Sequence, residues 1–139
     1  MTRQDGPGQW RIEWDGKWQS GCQGSQTITT VAELAAVLAT RDADGDAQFL
    51  LGKPEAPYPY LALLVSHDRW YVHYFPNDAE AGSFVAGDSP NAVGTTRLPA
   101  GWDIEVDNTT LVSGDTATRA ASEFMTTGSR PTGLRWVDL

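Results

Sequence analysis

Two β-rich runs, residues 60–65 and Arg69–Phe75, are separated only by Ser66-His67-Asp68. Short runs joined by so compact a turn pair as an antiparallel hairpin, and everything else in the chain has to be arranged around it. In the second run Trp70, Val72 and Tyr74 share one face, while Arg69, Tyr71, His73 and Phe75 share the other. One of these faces is expected in the core.

The flanking sequence supplies further elements. Trp10, Ile12 and Trp14 alternate with polar neighbours, the period of a half-buried strand, and Asp15-Gly16 then signals a turn. A Gly-, Ser- and Gln-rich loop follows. Thr30 and Glu33 have capping-box spacing ahead of a stripe of Val31, Leu34, Ala35 and Leu38, which predicts a helix over 31–40. Residues 42–46 break it, 48–51 read as a short buried strand, and the Pro-rich piece 53–59 is not expected to continue that strand. Residues 83–86 read as another short strand. From 102 to 107, Trp102, Ile104 and Val106 oppose Asp103, Glu105 and Asp107, so a strand there is apolar inside and carboxylate outside.

Near the end, Ser113 or Asp115 can cap a helix whose Ala117, Ala120, Ala121, Phe124 and Met125 fall on one side. Gly128 stands at its left-handed C-terminal cap, and Pro131 prevents the helix from resuming. Leu134 and Trp136 then predict a last strand, with Glu123 and Arg130 expected to join the helix to its neighbours. Strand, helix, several strands, helix and strand in that order imply an α+β fold, a mostly antiparallel sheet with two main helices packed on it. With no internal repeat or dividing linker, residues 1–139 are expected to form one domain, and 1–27 carry the least pattern.

Composition narrows the partners. Eighteen Asp and Glu against ten Lys and Arg give a net charge of −8, which repels nucleic acid in the absence of a basic patch. The longest strongly apolar run, 60–65, is far short of the roughly 18 residues of a membrane span, and residues 1–10 lack a signal-peptide core. Cys22 is the only cysteine and cannot form an internal disulfide. These features predict a cytoplasmic protein.

Catalytic and metal motifs are mostly incomplete. Asp42, Asp44 and Asp46 copy the first half of a calcium loop, but Ala47 stands where the loop needs Gly and Lys53 where it needs Glu. Ser66-His67-Asp68 holds the residue types of a hydrolase triad, yet consecutive residues point apart. Two histidines and one cysteine cannot complete an ordinary zinc site without carboxylates. Neither Gly16-Lys17 nor Gly52-Lys53 has the surroundings of a phosphate loop. No cofactor and no metal are expected. Trp14, Trp102 and Trp136 read as core, while Tyr58, Tyr60 and Tyr71 divide between packing and contact. A small-ligand or enzymatic pocket near Trp70, Tyr71 and His73 is the alternative to a partner-binding surface.

In the C-terminal half, Tyr71-Val-His-Tyr-Phe75, a turn around Gly87-Asp88, then Glu123-Phe124-Met-Thr-Thr-Gly128-Ser-Arg130-Pro131 and a strand with Trp136 form a recognisable series. It resembles the first-numbered immunity protein family of bacterial polymorphic toxin systems, over about residues 28–139. The resemblance implies a non-enzymatic α+β antitoxin that binds a cognate toxin domain, often nucleic-acid-directed, such as a deaminase or nuclease, with a basic active-site groove. An acidic inhibitor facing such a groove gains long-range steering. Contact residues are expected among Asp42, Asp44 and Asp46, the hairpin residues Tyr71 and His73, the loop acids Asp78, Glu80 and Asp88, and the stripe Asp103, Glu105 and Asp107.

Overall fold

The computed structural model describes residues 8–16 and 21–139. The turn expected at Asp15-Gly16 leads into residues 17–20, which lie outside them, as do residues 1–7. Strand β1 (Trp10–Asp15) buries Trp10 and Ile12 on one face, as its alternation requires, and leaves Arg11 and Glu13 exposed on the other. Strand β2 (Gly24–Ile28) pairs antiparallel with β1, where the sequence predicted a loop. Its polar side chains suit an edge strand, whose ladder is built from backbone alone. Gly24 faces Trp14 across this pair, and a Cβ there would lie 2.1 Å from the indole ring.

Helix α1 (Val31–Leu38) begins with the expected capping box. The Glu33 amide donates to Thr30 Oγ1 and the Thr30 amide to Glu33 Oε1, each at 3.1 Å. The buried stripe is Leu34, Val37 and Leu38, so the expected stripe is corrected: Val31 and Ala35 face solvent. Burying Val37 in place of Ala35 removes more apolar area from water.

Strands β3 (Asp46–Lys53) and β4 (Ala56–Ser66) are both longer than predicted. Register jumps between Gly52, which faces Tyr60, and Lys53, which faces Ala56. Pro57 and Pro59 thus enter β4 at an irregularity, where a missing N–H breaks no ladder bond. Strand β5 (Arg69–Phe75) completes the expected hairpin with β4. Strand β6 (Ser83–Val85) follows, then β7 (Thr95–Leu98) and β8 (Ile104–Asp107), which form a separate two-stranded sheet. Trp102 lies in the turn before β8 and not in the strand.

Helix α2 (Gly114–Thr127) is capped by Ser113, whose Oγ accepts the Thr116 amide at 3.2 Å, and it ends at Gly128 with φ 73°. All five residues of its expected apolar stripe are buried. Strand β9 (Trp136–Asp138) pairs with β6. Glu123 Oε2 accepts the Thr132 amide at 2.6 Å, Trp136 Nε1 donates to the Pro131 carbonyl at 2.9 Å, and Arg130 Nη1 donates to Ser83 Oγ at 3.2 Å. These bonds hold the last helix, the stop and the last strand to one another, the structural role expected of Glu123 and Arg130.

The main sheet runs β2-β1-β3-β4-β5-β6-β9, every pairing antiparallel. On one face both helices close a core in which Phe124 meets Trp10 edge-on at 5.1 Å and Tyr74 at 6.0 Å. On the other, Ala62, Leu64 and Tyr71 pack under Leu98, Leu111, Ile104 and Val106, so the β7–β8 hairpin forms a second, smaller cover. The fold is therefore α+β, and both faces of β5 are interior, where one was expected. Among the described residues no helix is long and apolar enough to cross a membrane.

Candidate functional site

Tyr71 and His73 are not exposed contact residues. They are 7% and 5% exposed, because the face of β5 turned from the helices is roofed by the β7–β8 hairpin and Trp102. Ala81 presents a carbonyl to His73 at 2.8 Å, and a carbonyl only accepts, so Nε2 carries the proton. Nδ1 is then the acceptor for the Tyr71 hydroxyl at 2.9 Å. His73 also stacks on Phe75 at 4.1 Å. Burial pushes the Tyr71 pKa up to about 12 and lowers that of His73, with the Ala81 hydrogen bond opposing the second shift. Trp70 points to the helix side of the same strand, against Phe49. Alternation thus keeps Trp70, Tyr71 and His73 from lining one pocket.

The aspartates of residues 42–46 lie in the connection from α1 to β3, with carboxylate oxygens within 4.8 Å of one another. Asp42 and Asp46 are only 9% and 4% exposed, so the exposure expected of them is absent, whereas Asp44 faces solvent. Asp42 Oδ1 accepts the amides of Asp44 and Asp46, each at 2.9 Å, and so shapes the loop. Asp46 Oδ1 is buried and has no hydrogen-bond partner among the described residues.

The remaining expected acids are exposed but differ in what they do. Asp88 accepts the Ser113 amide at 2.8 Å and so ties its loop to the start of α2. Asp103 is held by the Arg97 guanidinium in a two-point contact, both bonds at 3.0 Å. Glu105 and Asp107 stand on the outer face of β8 beyond it, as the alternation predicted. Asp78 and Glu80 sit in the loop between β5 and β6.

A larger hollow, of about 540 Å³, lies between Tyr74, Glu80, Arg130 and Asp138, and another concavity is formed on the sheet by residues that sequence pattern alone did not select. Register aligns Ser25, Glu13, Leu50, Ala62, His73 and Phe84 as one row across the sheet face opposite the helices. The hairpin covers the last three. The first three open into a depression of about 430 Å³ lined also by Trp14, Asp15, Gln23, Gly24 and Gln48. A second hollow, of about 190 Å³, continues from Glu13 and Leu50 to Arg11, Lys53 and Tyr60. Gln48 marks the boundary, since its Oε1 accepts the Trp102 amide at 2.8 Å.

Glu13 pairs with Arg11 at 3.5 Å, an exposed contact, and Asp15 Oδ1 accepts the Gly16 amide at 2.8 Å. The Cys22 thiol is pushed up in pKa by burial and then by Asp42 and Asp15, which places both carboxylates near it. Asp15 pairs with Gln48, two residues beyond Asp46, so the acidic loop leads into β3 on the Asp15 side of the depression. That Glu13 and Asp15 lie opposite Trp10, Ile12 and Trp14 was legible in the alternation, but the lack of a cover over them was not.

The family described as "Immunity protein Imm1" matches residues 23–138, which take in both helices and every strand except β1. No curated protein matches the chain.

Proposed function

The chain belongs to the immunity protein family Imm1, and we propose that it neutralises a cognate toxin by stoichiometric binding, with no turnover of its own. The observation that carries this reading is the match over residues 23–138, across nearly all of the described fold. The partner is a toxin domain with a basic substrate groove, one that acts on nucleic acid as a deaminase or nuclease does. The protein meets it in the cytoplasm of the producing cell.

Physical chemistry supports the pairing. A net charge of −8 steers a cationic partner toward the surface and can raise association rates by roughly 10- to 1,000-fold, an effect that fades with salt. Asp44, Asp78, Glu80, Glu105 and Asp107 are exposed and supply that field. Asp42, Asp46, Asp88, Asp103, Tyr71 and His73 contribute by holding the surface in shape through the hydrogen bonds and packing described above.

Co-expression with the toxin encoded beside the gene tests the reading. Rescue of growth and co-purification as a stable complex are expected. A well-folded chain that neither rescues growth nor binds the toxin overturns it.

A further inference from the structure

We propose that the open half of the sheet face, floored by Glu13, Asp15, Gln48 and Leu50 and edged by Ser25, is where a cationic segment of the toxin seats. This rests on the antitoxin reading and names its contact surface. Three observations lead to it. First, the row from Ser25 to Phe84 is one pleated face, yet only its β4, β5 and β6 part is roofed. The β1 and β3 part has the same geometry but is crossed only at one end, where the turn at Gly101 and Trp102 bonds Gly16 and the buried Gln48, while Glu13 and Ser25 have no cover among the described residues.

Second, the exposed floor is mixed in chemistry. Leu50 is half-buried beside Glu13 and Asp15, and the half-buried Trp14 lies at the margin. A Lys or Arg side chain matches this pattern, laying its aliphatic stem on Leu50 while its charged head reaches the carboxylates.

Third, the charge is graded along the hollow. Among the described residues, Arg11 and Lys53 line the far end, whereas Asp15 stands at the other, paired with Gln48 two residues beyond Asp46 at the end of the acidic loop. The charged head of a cationic side chain lying on Leu50 therefore points toward the Asp15 end. The strand carrying Glu13 and Asp15 also lies outside the residues that match the family, so the hollow joins the common scaffold to a strand beyond it.

The experiment compares two double reversals, Glu13→Lys with Asp15→Lys and Glu105→Lys with Asp107→Lys, by binding kinetics against the purified neighbouring toxin domain. Reversal in the hollow is expected to raise the dissociation rate about tenfold or more, with the loss persisting at high salt, because a desolvated contact is broken. Reversal on the hairpin is expected to slow association only, with the effect vanishing as salt rises. The neutral pair Glu13→Gln with Asp15→Asn, whose thermal midpoint should match the parent, repeats the first arm with less perturbation. Dissociation rates unchanged in both hollow variants, or raised only by the hairpin pair, overturn the assignment while leaving the antitoxin reading in place. A parent chain that fails to bind the toxin overturns both.

Discussion

Along the row Ser25, Glu13, Leu50, Ala62, His73 and Phe84, the last three side chains lie under the β7–β8 hairpin and the first three do not. Backbone geometry is the same in both halves, and each half contains polar side chains. Under the roof, polarity is settled internally: Tyr71 donates to His73 and His73 donates to Ala81. In the open half, Glu13 pairs with Arg11 at the surface, and Leu50 keeps part of its area in water. Position within a strand therefore does not decide whether a side chain is structural or available. What lies above the strand decides it.

The largest effect that would sharpen this contrast is expected from truncation. Leu98→Ala, on the inner side of the roof at 1% exposure, should cost about 2–5 kcal/mol, whereas Leu50→Ala in the open half should cost about 1 kcal/mol. Thermal melts of the two variants read the difference directly, and equal losses would break the comparison. Next comes Tyr71→Phe, which leaves the buried Nδ1 of His73 without its donor and should cost about 1–3 kcal/mol by denaturant unfolding.

A pH effect follows, somewhat smaller. The folded pKa of His73 is lowered, so the unfolded chain takes up its proton first as pH falls. Stability is present above 6.5, the ordinary histidine value, and declines as pH drops below it toward the folded pKa. Melting temperature measured from pH 8 to pH 5 should fall, and His73→Gln should flatten that fall, with the same change at the exposed His67 as control. The smallest effect is expected from Glu13→Gln, within about 0.5 kcal/mol of the parent, since an exposed ion pair contributes little. A large loss there would show that the open half is as structural as the closed one.

Much of the fold was legible in residue order. The capping box at Thr30 and Glu33, the five-residue stripe of α2, the stop at Gly128 and the hairpin of β4 and β5 all rest on local chemistry, and all formed where their residues indicated. Strand β2 was not legible, because residues 24–28 have the polar composition of a loop and become a strand only by pairing with β1. The entry of Pro57 and Pro59 into β4 depends likewise on a register jump opposite β3 that no local pattern encodes.

For the candidate site, the outward stripe of Glu105 and Asp107 was readable because alternation alone defines it. The interior position of Tyr71 and His73 was not, since the roof over them comes from residues more than twenty positions away along the chain. Glu13 and Asp15 were readable as outward-facing. Their grouping with Gln48 and Leu50 required strand order, which the sequence alone left open.

The alternation of β1 separates two degrees of freedom within one strand. Trp10 and Ile12 are locked into the helix-side interior, where Trp10 meets Phe124, while Arg11, Glu13 and Asp15 touch nothing in that interior. Substitutions in the second set leave that packing untouched. A lineage confronted with a new rival could thus re-dress this strand one residue in two and keep its scaffold unchanged.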